Sequence, residues 1–164
     1  MQLCFLNWEK ANVMPKIEAT DEAIIDAPPN DVYKAILDEY AGVTHWWMPY
    51  IEHKPRGDTP IGHEGAIYDI IAHGKGMSAK FSEKITKLVE GKSIEVEQAG
   101  DFTGTGKWTF EPTDGKTKIK FQVNVKTNKL IFSLIAPFIR DIGKPHSESM
   151  QKGFKACNDY LCSK

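Results

Sequence analysis

Glu83 is the acid of this 164-residue chain whose placement invites a chemical role. In the run Phe81-Ser82-Glu83-Lys84-Ile85 it shares alternate parity with Phe81 and Ile85, so a strand there turns the carboxylate toward the apolar side. An acid on such a face needs a partner or a raised pKa, and can then orient a ligand hydroxyl or move a proton as a general acid or base. It is the candidate catalytic residue. The competing reading is a bulge between Ile85 and Leu88, where the alternation slips, that lets Glu83 point to water.

The densest aromatic cluster is His45-Trp46-Trp47-Met48-Pro49-Tyr50. In one reading Trp46 and Trp47 form a rim of a pocket mouth, since binding groups often sit on connecting segments. In the other, Trp46 plugs the end of the core and Trp47 lies on the surface. His45, His53, His63, His73 and His146 form no HExxH or similar compact spacing, so no metal site is expected. Gly104-Thr105-Gly106 lacks a following helix and is not a phosphate loop. Its expected role is a bulge or a close approach of the last helix. Nothing calls for a cofactor.

The elements that must position these residues follow from hydrophobic period. Ile94 and Val96, then Trp108 and Phe110, then Ile119, Phe121, Val123 and Val125 each alternate with polar residues, which predicts a meander with one wet and one apolar face. Upstream, Lys16 to Asp26 reads as a first strand and Pro28-Pro29 stops it. Asn30 or Asp31 is the expected N-cap of a helix running to about Asp38, with a second short helix from Tyr40 to Trp46. Three further strands precede Ile94, ending in a long one from Met77 to Val89. After Asn128 the period becomes helical, with Leu130, Ile131, Leu134, Ile135, Phe138, Ile139 and Ile142 at spacings of three and four. A break near Gly143 is expected between Pro137 and Pro145. Met150, Phe154, Cys157 and Leu161 then continue the apolar stripe.

The order predicts an α+β domain, residues 16–164: a strongly curved antiparallel sheet of about seven strands wrapped around a long C-terminal helix, with two short helices after the first strand. Residues 1–15 read as an extension, and Met14 is an alternative start. On parity, Tyr68, Ile70, Phe81, Trp108, Phe110, Phe121 and Val123 face the last helix. That helix answers with Ile135, Phe138, Ile139, Met150 and Phe154. With Trp46 and Trp47 at the rim, these are the expected lining of a ligand cavity, against the alternative of an ordinary filled core.

Composition narrows the function classes. Net charge is -1, with 41% hydrophobic and 26% charged residues, as in soluble globular domains. The lysines are scattered rather than gathered into a basic face, so nucleic acid is not an expected partner. Cys4, Cys157 and Cys162 include no CxxC pair, which suits a reducing cytoplasm. No apolar run reaches the roughly eighteen residues of a spanning helix, and the N-terminus shows no signal-peptide pattern. The all-round apolar segment Leu130 to Ile139 is expected to be buried, or else to make transient membrane contact. Oligomeric state is not legible.

Three strings, IIDAPPNDVYKAILD, DFTGTGKWTFEPTDGKTKIKFQV and SMQKGFKACNDYL, resemble in their order the START-like superfamily, in particular its polyketide cyclase/dehydrase-type branch. The resemblance spans about Lys16 to Leu161 and implies the helix-grip fold with a cavity between sheet and last helix. The function it implies is binding, transport or sequestration of a hydrophobic small molecule such as a lipid, isoprenoid or polyketide-like compound. The polar contacts would be Glu83, Tyr68 and His73. The alternatives are a cyclase or dehydratase using the same cavity, and a protein-interaction or chaperone-regulator module.

Overall fold

The computed structural model describes residues 16–74, 78–128 and 143–164. The N-terminal extension and the segment carrying Leu130 to Ile139 lie outside them, as does Met77, the expected start of the long strand.

Seven antiparallel strands form one curved sheet: β1 (Lys16–Ile25), β2 (Ile51–Arg56), β3 (Ile67–His73), β4 (Ser78–Val89), β5 (Ser93–Gly100), β6 (Phe102–Thr113) and β7 (Lys116–Thr127). Their order is β1-β7-β6-β5-β4-β3-β2, so β2 through β7 form a meander and β1 closes it by pairing with β7. Helix α1 (Pro29–Tyr40) joins β1 to β2, and helix α2 (Gly143–Cys162) ends the chain. This is the helix-grip arrangement that the hydrophobic pattern predicts.

Period two holds along β7, where Thr117, Ile119, Phe121, Val123, Val125 and Thr127 are buried while Lys116, Gln122, Asn124 and Lys126 are exposed. The expected bulge is present, with the register of β4 against β5 shifting between Ile85 and Lys87. Because it falls after Ile85, it leaves the parity of Glu83 intact.

Two local expectations are corrected. Helix α1 starts at Pro29 with Pro28 as its cap residue, so neither Asn30 nor Asp31 is the N-cap. Proline at the first helical position is pre-set for helix, and the Pro28 carbonyl accepts from the amides of Asp31 and Val32 at 3.0 and 3.2 Å. The second short helix does not form: residues 41–50 are turns. Gly42, at φ 67°, takes the left-handed conformation that ends α1. From there the chain is held by Glu39, described below.

Helix α2 packs on β1 and touches α1. Met150, Gly153, Phe154 and Cys157 form its buried stripe. Gly153 is fixed by a neighbour: a Cβ there would fall onto the Trp47 indole. Gly106 is similar, since a Cβ would stand 2.9 Å from the Phe121 ring and 3.0 Å from Val96. The ring of Phe121, not the last helix, is therefore what occupies the space that Gly106 leaves. Gly153→Ala should lower stability by about 1–3 kcal/mol through overpacking, read as an earlier midpoint in urea unfolding. An unchanged midpoint would mean that Trp47 gives way freely.

Candidate functional site

Glu83 is buried, 3% exposed, and it accepts from two buried side chains. The Trp108 indole donates to the Tyr40 hydroxyl at 2.5 Å. The Tyr40 and Tyr68 rings stack, which sets their two hydroxyls on the same side of the cluster near Glu83. Tyr68 donates to Glu83 Oε2, and Gln98 Nε2 donates to Glu83 Oε1 at 2.5 Å. The single proton of Tyr68 is committed to Glu83, so Tyr68 and Gln98 are the two side-chain donors to the carboxylate. Register explains how the cluster assembles: Tyr68 stands opposite Glu83, and Glu83 opposite Gln98, on neighbouring strands. Tyr40 comes from the last turn of α1, its ring stacked on that of Tyr68 at 4.3 Å.

Burial raises the Glu83 pKa to about 7, against the lowering effect of the bonds from Tyr68 and Gln98. The same burial, with the Glu83 charge nearby, drives the Tyr40 and Tyr68 hydroxyls well above their usual range, so both remain neutral donors. A carboxyl that changes charge near neutral pH can act as an acceptor or as a general acid or base.

A second buried carboxylate, Glu39, does a different job. It accepts from the Thr44 hydroxyl at 2.9 Å and from the amides of Trp46 and Trp47 at 3.1 and 3.3 Å. His53 Nδ1 lies 3.8 Å from it, beyond hydrogen-bond reach. Burial holds the His53 pKa low despite the adjacent acid.

A third is Asp21, on the inner face of β1 and 6% exposed. His146 Nδ1 of α2 stands 3.3 Å from its Oδ2, though neither atom has a well-aligned hydrogen-bond partner. Burial works to raise the Asp21 pKa, but His146 and Ser147 outweigh it and hold the carboxyl below its usual range.

Of the residues expected to line a cavity, Tyr68, Ile70, Trp108, Phe110, Phe121, Val123, Met150 and Phe154 are buried, and Trp46 and Phe81 are half-buried. Trp108 meets Phe154 of α2 edge-on at 6.2 Å. Tyr68 and Phe110 also meet α1, against Tyr40 and Tyr33. Trp47 is the plug, 2% exposed, and Trp46 the more open ring, which reverses the second of the two readings and takes Trp47 off the rim of the first. The Trp47 indole reaches the Ser149 carbonyl at 3.4 Å, because Glu39 draws the Trp47 amide inward. Ile135, Phe138 and Ile139 lie outside the described residues. His73 is exposed at the end of β3, near Glu52 and Ser78, away from Glu83.

Gln98, Asp21, Glu39, Tyr40 and His53 are site residues that the sequence reading missed. Gln98 shares parity with Ile94 and Val96, Asp21 with Ile17 and Ile25, and Glu39 follows Val32 and Ile36 on the stripe of α1. Each of these three was signalled by a polar residue falling on an apolar period.

Two open depressions, of about 450 and 700 Å³, lie mainly on the outer side of the sheet, the first with Ile70, Ile71, Phe81 and Ala99 beside charged residues, the second mostly polar. Neither is lined by a residue of α2. Among the described residues no group of three or more histidine, cysteine or acidic side chains could hold a metal ion. No described helix is long and apolar enough to cross a membrane.

Comparison with known proteins agrees with this architecture. The family model described as polyketide cyclase/dehydrase and lipid transport matches residues 16–159, and the chain belongs to that family. Among solved structures, the protein TTHA0849 from Thermus thermophilus is 18% identical with a TM-score of 0.67, covering 91% of this chain and 98% of that one. The Zhui aromatase/cyclase from Streptomyces sp. R1128 is 12% identical, with a TM-score of 0.63 and coverage of 89% and 93%. Norcoclaurine synthase from Thalictrum flavum, solved with dopamine and hydroxybenzaldehyde, is 12% identical, with a TM-score of 0.63 and coverage of 94% and 91%. At these identities the likeness is one of fold. No curated protein matches the sequence.

The Glu83 environment makes stability depend on pH. A carboxyl whose folded pKa of about 7 exceeds its ordinary value of 4.5 contributes stability that is full below 4.5 and lost as pH rises through 7. The loss is on the order of 3 kcal/mol at most. His53, kept neutral, acts in the opposite sense, its contribution being lost as pH falls below 6.5. Comparison with Glu83→Gln isolates the acid: urea midpoints at pH 5 and pH 8.5 should show the variant gaining on the parent by about 1–3 kcal/mol. Parallel behaviour of the two proteins would remove the buried, titrating Glu83.

Proposed function

We propose that the chain binds a hydrophobic small molecule, of lipid, isoprenoid or polyketide type, between the inner face of the sheet and α2, and so transports or sequesters it. The observation that carries this reading is Glu83 with Tyr68 and Gln98. It is a polar cluster set in an apolar inner face, within a family described by polyketide cyclases, dehydrases and lipid transport. A carboxylate has about four acceptor positions, and two donors leave capacity for a ligand group.

Affinity would come from apolar area removed from water, at roughly 25 cal/mol per Å² before the costs of ordering. The polar cluster would set orientation. Trp46, half-buried in the connecting turns, would lie at the mouth, and contact with a membrane would be transient. A reducing, cytoplasmic location fits the buried, unpaired Cys157, whose thiol burial pushes up to about 12.

A second reading, a cyclase or dehydratase, is favoured by one specific observation: Glu83 titrates near neutral pH, where a general acid or base works best. In that case the enclosure would mainly hold a reactive chain in one conformer.

Native mass spectrometry of gently purified protein, followed by solvent extraction, tests the binding reading. An apolar molecule should co-purify, and related lipids should raise the melting temperature. A bare protein whose melting is unmoved across such a panel would overturn it.

A further inference from the structure

We infer that the inner face selects an uncharged apolar molecule carrying a hydroxyl donor and excludes free carboxylic acids; this rests on the binding reading above and names the ligand class of that site. The inner face carries two buried carboxylates, Glu83 on β4 and Asp21 on β1. Among the described residues no lysine or arginine takes an inward position on any strand. The sheet's cations point outward, where Lys107 pairs with Glu95, Lys116 with Asp26, Lys118 with Glu22 and Lys120 with Glu111. The histidines facing inward are His146, beside Asp21, and His53, beside Glu39, so each already stands against an acid of the protein.

An ionised ligand brought here would lose its hydration beside like charge, with no strand-borne lysine or arginine among the described residues turned inward to replace it. A hydroxyl meets the opposite situation. Glu83 receives one donor on each oxygen and can accept more, while Asp21 Oδ2 is buried without a well-aligned partner. The cross-strand row between the two acids, Val96, Gly106, Val123 and Ala19, presents no charged side chain. From β4 to β1 is four strand spacings, about 19 Å along the curved sheet, a span comparable to a long aliphatic body, which would have to displace the Phe121 and Phe154 rings packed on Trp108.

Three probes of equal chain length separate charge from donor: 1-dodecanol, methyl dodecanoate and dodecanoate. Binding is followed at pH 8.5 by tryptophan emission and confirmed by native mass spectrometry. Dodecanol should bind at least ten-fold tighter than dodecanoate and several-fold tighter than the ester. In Glu83→Gln the preference for dodecanol over dodecanoate should shrink to a few-fold, and Asp21→Asn should shrink it in part, with circular dichroism confirming that both variants fold. Dodecanoate binding the parent protein as tightly as dodecanol would overturn the inference while leaving the binding reading in place. An ester equal to dodecanol would overturn the donor requirement. Should none of the three bind, the binding reading itself fails.

Discussion

The rest of the inner structure depends on the need to supply donors to one buried carboxylate. Trp108 can only donate, so Tyr40 accepts from it, and the Tyr40 ring stacks on Tyr68, which donates to Glu83. Removing Tyr68 or Gln98 would leave the buried carboxylate short of a donor, at a cost of about 1–3 kcal/mol. The cluster also ties α1 to β3, β4, β5 and β6 through side chains of high burial. Its donors stabilise the ionised acid while burial opposes it, and the balance falls near neutrality. A fully apolar grip would leave nothing to orient a ligand, and a fully solvated acid would not titrate there.

Glu39 shows by contrast what a satisfied buried acid looks like. Its three donors come from the segment immediately after its own helix, so it closes a local turn and leaves His53 at a distance. That closure brings Trp47 inward between His53, Trp108 and α2, where Gly153 yields the space. Glu39 therefore shapes the aromatic wall from behind, whereas Glu83 stands on the wall itself.

What the sequence revealed and what it concealed divide along one physical line. Properties fixed by period were legible: the seven strands, the apolar stripe of α2, the slip after Ile85, and Glu83 as an inward acid. Properties fixed by a long-range polar contact were not. The string from Tyr40 to Trp46 carries apolar residues at helical spacing, yet the Glu39 carboxylate holds it as turns, and the same contact exchanges the roles of Trp46 and Trp47. Likewise Gln98 and Asp21 look like lapses in alternation until register places Gln98 opposite Glu83, and Asp21 opposite Phe121 with His146 above it. Alternation tells which side a residue takes, but only pairing tells whom it meets.

Charge shows the same separation of scales. A net charge of -1 suggests near neutrality, and counting residues reveals no field at all. The sheet nevertheless sorts its charges by face: the lysines of β6 and β7 lie outside against acids on or beside β1, β5 and β6, while the strand residues that break the inner apolar surface with charge are acids. Outward pairs are screened by solvent and contribute little to stability, roughly 0–1 kcal/mol each. Inward acids are screened far less, so their influence on what can enter is out of proportion to their number. The chemical character of this interior is therefore set by two side chains that a composition would average away.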